Sequence, residues 1–146
     1  MSRIRSKNTR PELVIRSGLH KKGFRFRIHH PRLPGKPDLV FPKYKAAIFV
    51  HGCFWHGHNC PLFKWPSTRA DFWKSKINRN REKDRENHEA LRMSGWRILT
   101  IWECALDGRY RYPHEDVLSS AQAWLLSDMD ESELRGRGNG ACCYSF

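Results

Sequence analysis

Apolar and polar positions change their period several times along the chain, and each change marks the edge of an element. Thr9-Arg10-Pro11-Glu12 has the form of a capping box, with Thr9 as N-cap and Glu12 three residues on, and apolar Leu13, Val14 and Leu19 follow before Gly23. A short helix is predicted there. Phe24, Phe26 and Ile28 then alternate with Arg25, Arg27 and His29, the period of a strand with one wet face. Pro31 to Pro37 breaks that run. Two apolar runs, Asp38 to Phe41 and Ala46 to Val50, lie on either side of a turn at Pro42-Lys43-Tyr44 and are predicted to be central strands.

His51 to Pro66 mixes Gly, Pro, Cys, His and aromatics without a period, so it is predicted to be a loop held by something other than a hydrogen-bond ladder. Arg69 to Ser94 is a long charged helix candidate with Gly95 as its C-cap signal, and Trp96 to Trp102 is a further buried strand. Val117, Leu118, Ala121, Trp124 and Leu125 recur at helical spacing within Glu115 to Ser127, predicting a helix packed back on the sheet. From Asp128 the chain turns acidic, then rich in Gly and Arg, and is expected to be a mobile tail, giving a folded domain over 1–127 and a tail over 128–146. The order helix, three strands, loop, helix, strand, helix argues for an α/β fold, a mixed sheet flanked by helices.

Composition narrows the partners. A chain of 146 residues is about one domain long, and its formal charge of +12 is concentrated in Arg3 to Arg32 and Lys64 to Arg97, which favours a polyanion, nucleic acid first. No apolar stretch reaches the ~20 residues of a membrane span, and Met1 to Arg10 has no apolar signal core, so an intracellular, cytoplasmic protein is expected. Five cysteines are an odd count, two of them, Cys142 and Cys143, in the polar tail, which fits metal ligation in a reducing compartment better than a disulfide framework.

Several residues carry candidate chemistry. Cys53, His58 and Cys60 share one loop, and thiolate and imidazole are preferred zinc ligands; Cys104, just past the strand ending at Trp102, is the natural fourth donor of a closed structural site. Asp38 enters an apolar strand from a turn, where its carboxylate can hold a hard divalent cation or serve only as a turn residue. The strand ending Val50-His51 would bring a carbonyl and an imidazole out near it, and Glu12 is either a second carboxylate there or only the capping-box acceptor. His56 and Asp84 form a candidate imidazole–carboxylate pair for proton transfer, although a solvated helix charge is the ordinary reading of Asp84. Phe54 and Trp55 are consecutive and cannot both enter one core, so an exposed pair can wedge between bases, with Trp73 as a third ring; Trp96, Trp102 and Trp124 follow core periods.

Three stretches, Leu33-Pro34-Gly35-Lys36-Pro37-Asp38, Ile48 to His56 with its His-Gly-Cys-Phe-Trp-His block, and Trp96 to Leu99 with Trp102-Glu103-Cys104, closely resemble the very-short-patch repair (Vsr) endonucleases over about Ser6 to Leu106. That resemblance implies the restriction-endonuclease-like fold, two magnesium ions, one structural zinc, and incision of duplex DNA 5′ of the thymine in a T·G mismatch left by deaminated 5-methylcytosine. Asp38 and the Val50 carbonyl correspond to the magnesium ligands, His51, His56, Asp84 and Glu12 to the remaining active-site groups, and Cys53, His58, Cys60 and Cys104 to the zinc ligands. Phe54, Trp55 and Trp73 correspond to the intercalating aromatics. In the implied mechanism water attacks the scissile phosphate in line, His56 oriented by Asp84 takes its proton, and His51 helps place the water or the leaving group.

The departures from the family pattern are local. Val50 stands where threonine occurs, an exchange a carbonyl ligand survives, and Gly57 and Asn59 interrupt a histidine-rich stretch around His58. Phe49 and His51 occupy the places where the usual nuclease strand carries Glu and Lys. Longer relatives have an N-terminal helix reaching the minor groove, so a chain starting at Met1 is expected to grip its mismatch less firmly. A monomer in the bacterial nucleoid is expected, with engagement of a MutL-type repair protein left open. Two rival classes stand beside this reading: a catalytically silent zinc DNA-binding module, which leaves Asp38, His51 and Asp84 without a task, and a nuclease of the same fold in host defence.

Overall fold

A computed structural model describes residues 9–53 and 66–136 of the chain. Helix α1 (Arg10–Lys21) starts where Thr9 Oγ1 accepts the Glu12 amide at 3.4 Å, with Pro11 in the first turn, and gives way at Gly23, whose φ is +99°. Ile15 and Leu19 supply its buried stripe, whereas Leu13, one of the apolar residues that marked the helix, is 43% exposed. The alternating segment after it keeps its inward residues, Phe24 and Phe26, on the core, but only Arg27–Ile28 pair as strand β1.

Strands β2 (Leu39–Phe41) and β3 (Ala46–His51) are central as expected, joined by a 3-10 turn at Pro42–Tyr44 that closes with Lys45 in the left-handed region at φ 52°. Helix α2 (Ala70–Met93) then crosses over to β4 (Arg97–Trp102), ending at Ser94 and Gly95 (φ +85°). A four-residue helix α3 (Glu103–Leu106), unforeseen in the periodicity, precedes α4 (His114–Leu126). The sheet runs β1-β2-β3-β4-β5, antiparallel between its first three strands and parallel from β3 onward.

The two faces of the sheet divide the core by strand alternation. Ala46, Ile48, Leu99 and Ile101 pack with α1 and α4, through Ile15, Leu19, Leu118 and Leu125 among others. On the other face Phe49 and Ile98 meet Leu91 of α2. Trp102 and Trp124 are buried as expected, and Trp96 packs against the second cluster with Lys45 Nζ 4.9 Å from its ring centre.

The polar segment after Asp128 is not a tail throughout, for it adds a fifth strand, β5 (Glu131–Leu134), parallel to β4. Its side chains are too polar to announce a strand, and it needs only one partner because it lies at the sheet edge. Neighbouring cations and donors meet its carboxylates: Arg92 of α2 pairs with Glu131 at 2.6 Å, and Trp102 Nε1 donates to Glu133 at 2.5 Å. Arg97 ties this edge to the rest, donating to the carbonyls of Trp124 (2.6 Å), Leu125 (3.3 Å), Tyr44 (3.4 Å) and Met129 (3.1 Å) with its guanidinium over the Trp124 ring. The first two carbonyls belong to the last turn of α4, where a cation also complements the helix dipole.

Candidate active site

Strand β2 begins at Leu39, opposite Ile48 and two residues short of the position that would face Val50, and this leaves the Val50 amide without a ladder partner on that edge. Asp38 fills the gap: its Oδ2 accepts the Val50 N–H at 2.6 Å. Because the N–H and C=O of one strand residue face the same neighbour, the Val50 carbonyl lies on this edge as well. From the helix side, Glu12 of α1 enters with its residue only 1% exposed. The capping box is thus half made, since the Thr9 hydroxyl serves the Glu12 amide while the Glu12 carboxylate accepts from His29 Nε2 at 2.5 Å and lies 3.5 Å from Arg16.

One ligand atom from each of Glu12, His29 and Asp38 lies within 4.8 Å of the others. Sequence reasoning brought Glu12 and Asp38 to this place and missed His29, which it treated as the wet face of a strand. The one available signal was its residue type, for histidine is among the few side chains that tolerate left-handed backbone, and His29 has φ 48°. That twist, fixed by the His29 amide donating to the Asp38 carbonyl at 3.2 Å, accompanies the turn of the imidazole toward the carboxylates.

Burial raises the Asp38 carboxyl to about 7; the Val50 amide opposes that rise, and the nearby Glu12 adds to it. Two carboxylates held together in a desolvated corner are a donor set for a divalent cation, whose charge removes both penalties. The linkage has a definite sign. Without a cation, folded Asp38 keeps its proton up to about pH 7 while the unfolded side chain releases it near 3.8, so this group lowers stability progressively across that window. At ~1.4 kcal/mol per pKa unit the rise from 3.8 to about 7 corresponds to about 4 kcal/mol. Asp38→Asn should therefore be more stable than the parent in magnesium-free buffer at pH 8, with the gain vanishing near pH 4. Urea titrations at both pH values check this, and an equal difference at the two would contradict it.

On the opposite face of β3 a cleft of about 900 Å³ opens beneath α2. His51 and Asp84 both line it, with Arg81, Arg85 and His88. His51 is 6% exposed, its ring stacked with His88 at 6.1 Å and edge-on to Trp102 at 5.2 Å. Asp84 is half-buried rather than a plain solvated charge, because it falls midway between Ile77 and Leu91, the two buried residues of α2, at seven-residue intervals that keep one helix face. The end of β3 thus stands between Asp38, Glu12 and His29 on the α1 side and His51 and Asp84 on the α2 side. The expected partner of Asp84, His56, lies outside the described residues.

Of the proposed zinc ligands, Cys53 and Cys104 are buried, and His58 and Cys60 lie outside the described residues. The parallel register His51↔Trp102 sets both thiols two residues beyond the same end of the sheet. Glu103 Oε1 accepts the Cys53 amide at 3.2 Å, and the Gly136 amide donates to Cys104 Sγ at 3.3 Å. Phe54 and Trp55 are also outside the described residues. Trp73 is half-buried near the start of α2, edge-on to Phe72, which is 46% exposed and has the Arg69 guanidinium 4.4 Å from its ring centre.

A mixed sheet whose central strand ends beside clustered carboxylates, on a strongly basic chain, places this protein in the class of α/β nucleases. A family model described as DNA mismatch endonuclease Vsr matches residues 1–62. The chain is 40% identical over 138 residues to the DNA mismatch endonuclease Vsr of Escherichia coli K12, covering 94% of this chain and 88% of that one. It is 51% identical over 106 residues to the type II nicking enzyme V.XorIIP of Xanthomonas oryzae pv. oryzae (73% and 78% covered), and 43% identical over 109 residues to V.NmeAIP of Neisseria meningitidis (75% and 78% covered). The chain belongs to the Vsr family of DNA mismatch endonucleases. Among the described residues no helix is long and apolar enough to cross a membrane.

Proposed function

We propose that this protein nicks one strand of duplex DNA on the 5′ side of the thymine in a T·G mismatch, starting very-short-patch repair of deaminated 5-methylcytosine. The observation that carries the reading is the convergence of Asp38, Glu12 and the Val50 backbone at the end of β3 in a member of this family. The donors suit magnesium, held by Asp38 and the Val50 carbonyl, and bound magnesium supplies charge neutralisation at the attacking and leaving oxygens of an in-line displacement. Glu12 adds negative charge to the pocket and helps fix its cation. His56, oriented by Asp84, takes the proton of the attacking water, and His51 orients water or the leaving group from the cleft under α2. The sheet order supports the restriction-endonuclease-like class, in which imidazole replaces the usual lysine.

Zinc held by Cys53, His58, Cys60 and Cys104 would stiffen the loop that carries Phe54 and Trp55. Those rings, with Trp73, wedge beside the mismatch, where a wobble pair unstacks at lower cost than a Watson–Crick pair, while lysines and arginines grip the phosphates. The working form is a monomer in the bacterial cytoplasm, acting at the nucleoid, and a MutL-type protein is its candidate repair partner. The test is a nicking assay on paired duplexes that differ only in T·G versus T·A, in magnesium and at fixed salt. Cleavage of one strand, confined to the T·G duplex, is expected; equal cleavage of both duplexes would favour a host-defence nuclease, and binding without cleavage a silent DNA-binding module.

A further inference from the structure

Resting on the reading of Asp38 as a cation ligand, we propose that His29 completes that site as a nitrogen donor, so that the site holds manganese in preference to magnesium. The geometry comes from two contacts and the span of one cluster. His29 Nε2 is the ring atom that faces the cluster, 2.5 Å from Glu12 Oε2, and a ligand atom of each of the three residues lies within 4.8 Å of the others. The backbone is set for this placement: His29 adopts φ 48°, a conformation costly to most L-residues, and its amide is tied to the Asp38 carbonyl at 3.2 Å. Strand β1 therefore ends in a twist that fixes the imidazole's attachment to the same residue that brings in the carboxylate.

Donor chemistry gives the preference its direction. A site of carboxylates and a backbone carbonyl suits hard cations, and magnesium favours oxygen donors and retains its waters. Manganese shares magnesium's taste for oxygen donors but, as a first-row transition cation, also accepts an imidazole among them, whereas magnesium dehydrates reluctantly and keeps to oxygen. Nε2 and Glu12 Oε2 face one another across a hydrogen bond, and a bound cation would replace the shared proton as the object of both. Coordination through Nε2 leaves Nδ1 as the ring atom that carries the hydrogen.

The experiment uses the full zinc-containing chain, titrated with manganese and with magnesium in competition, and read by electron paramagnetic resonance of bound manganese, including its coupling to nitrogen. The parent should show nitrogen coupling and bind manganese at least tenfold more tightly than magnesium. His29→Asn, which tolerates the left-handed backbone, should lose that coupling and about tenfold in manganese affinity while changing magnesium affinity less than threefold. Absence of nitrogen coupling in the parent overturns the proposal whether or not the variant folds. Equal losses for both metals overturn it too, reducing His29 to a residue that positions Glu12. If instead Asp38→Ala leaves the manganese signal unchanged, the cation site itself has been misplaced, and the reading beneath the proposal falls with it.

Discussion

Asp38→Ala should abolish magnesium-dependent nicking while leaving affinity for the duplex within about 1 kcal/mol of the parent. The asymmetry follows from where the side chain sits. Asp38 is turned inward, accepting the Val50 amide and facing Glu12 and His29, so its removal takes away cation binding and none of the arginines and lysines that neutralise phosphate. It also opens the edge of β3, because the Val50 N–H loses its acceptor; a second variant, Asp38→Asn, keeps a side-chain oxygen for that bond while removing the charge. Both should be inactive in single-turnover nicking assays and both should bind DNA. A variant cutting at a tenth of the parent rate would show that another group holds the ion.

Removing zinc should be the largest perturbation of stability. A structural zinc site contributes on the order of 10 kcal/mol in small domains, comparable to the whole stability of a domain, and two of the four expected ligands are already buried past one end of the parallel strands. The freshly purified protein, never exposed to a chelator, should contain one zinc per chain by mass spectrometry. Cys104→Ser should lose the zinc and melt about 10 °C or more below the parent. The effect should extend to the segment after β5, since the Gly136 amide donates to Cys104 Sγ and a Cβ at Gly136 would meet the Cys104 carbonyl oxygen at 2.6 Å. A zinc-free protein with an unaltered melting temperature would remove the metal from this fold.

Physical information is spread unevenly along the chain. Long elements announced themselves: α2, with its charged surface and the Gly95 stop, and α4, with Val117, Leu118, Ala121, Trp124 and Leu125, form where their periods placed them. The apolar runs before and after Pro42 became neighbouring central strands because burial on both faces leaves little room for polar residues. Short elements were hidden. Two paired residues in β1 and four in α3 carry only about one period each, too few to show a repeat, and β5 is polar because an edge strand can satisfy its carboxylates with Arg92 and Trp102 instead of a core.

The candidate site divides in the same way. Residue types and motif spacing alone determined which side chains can do chemistry here: the carboxylate after Gly35-Lys36-Pro37, the thiols of Cys53 and Cys104, and the imidazole that follows Val50. Only the tertiary structure decided their partners. Glu12 could have spent its carboxylate on its own helix cap, and Asp84 could have been one more solvated charge; packing of α1 against the sheet turns the first toward Asp38, and the seven-residue spacing of Ile77, Asp84 and Leu91 turns the second into the cleft with His51. Beyond its residue type nothing in the sequence marked His29, because its place beside Glu12 depends on its own left-handed backbone and on a contact with a helix residue 17 positions earlier. Local propensity reaches about as far as one turn of helix or one strand, whereas pKa, cation affinity and exclusion of water are set by groups that meet only after the chain has folded.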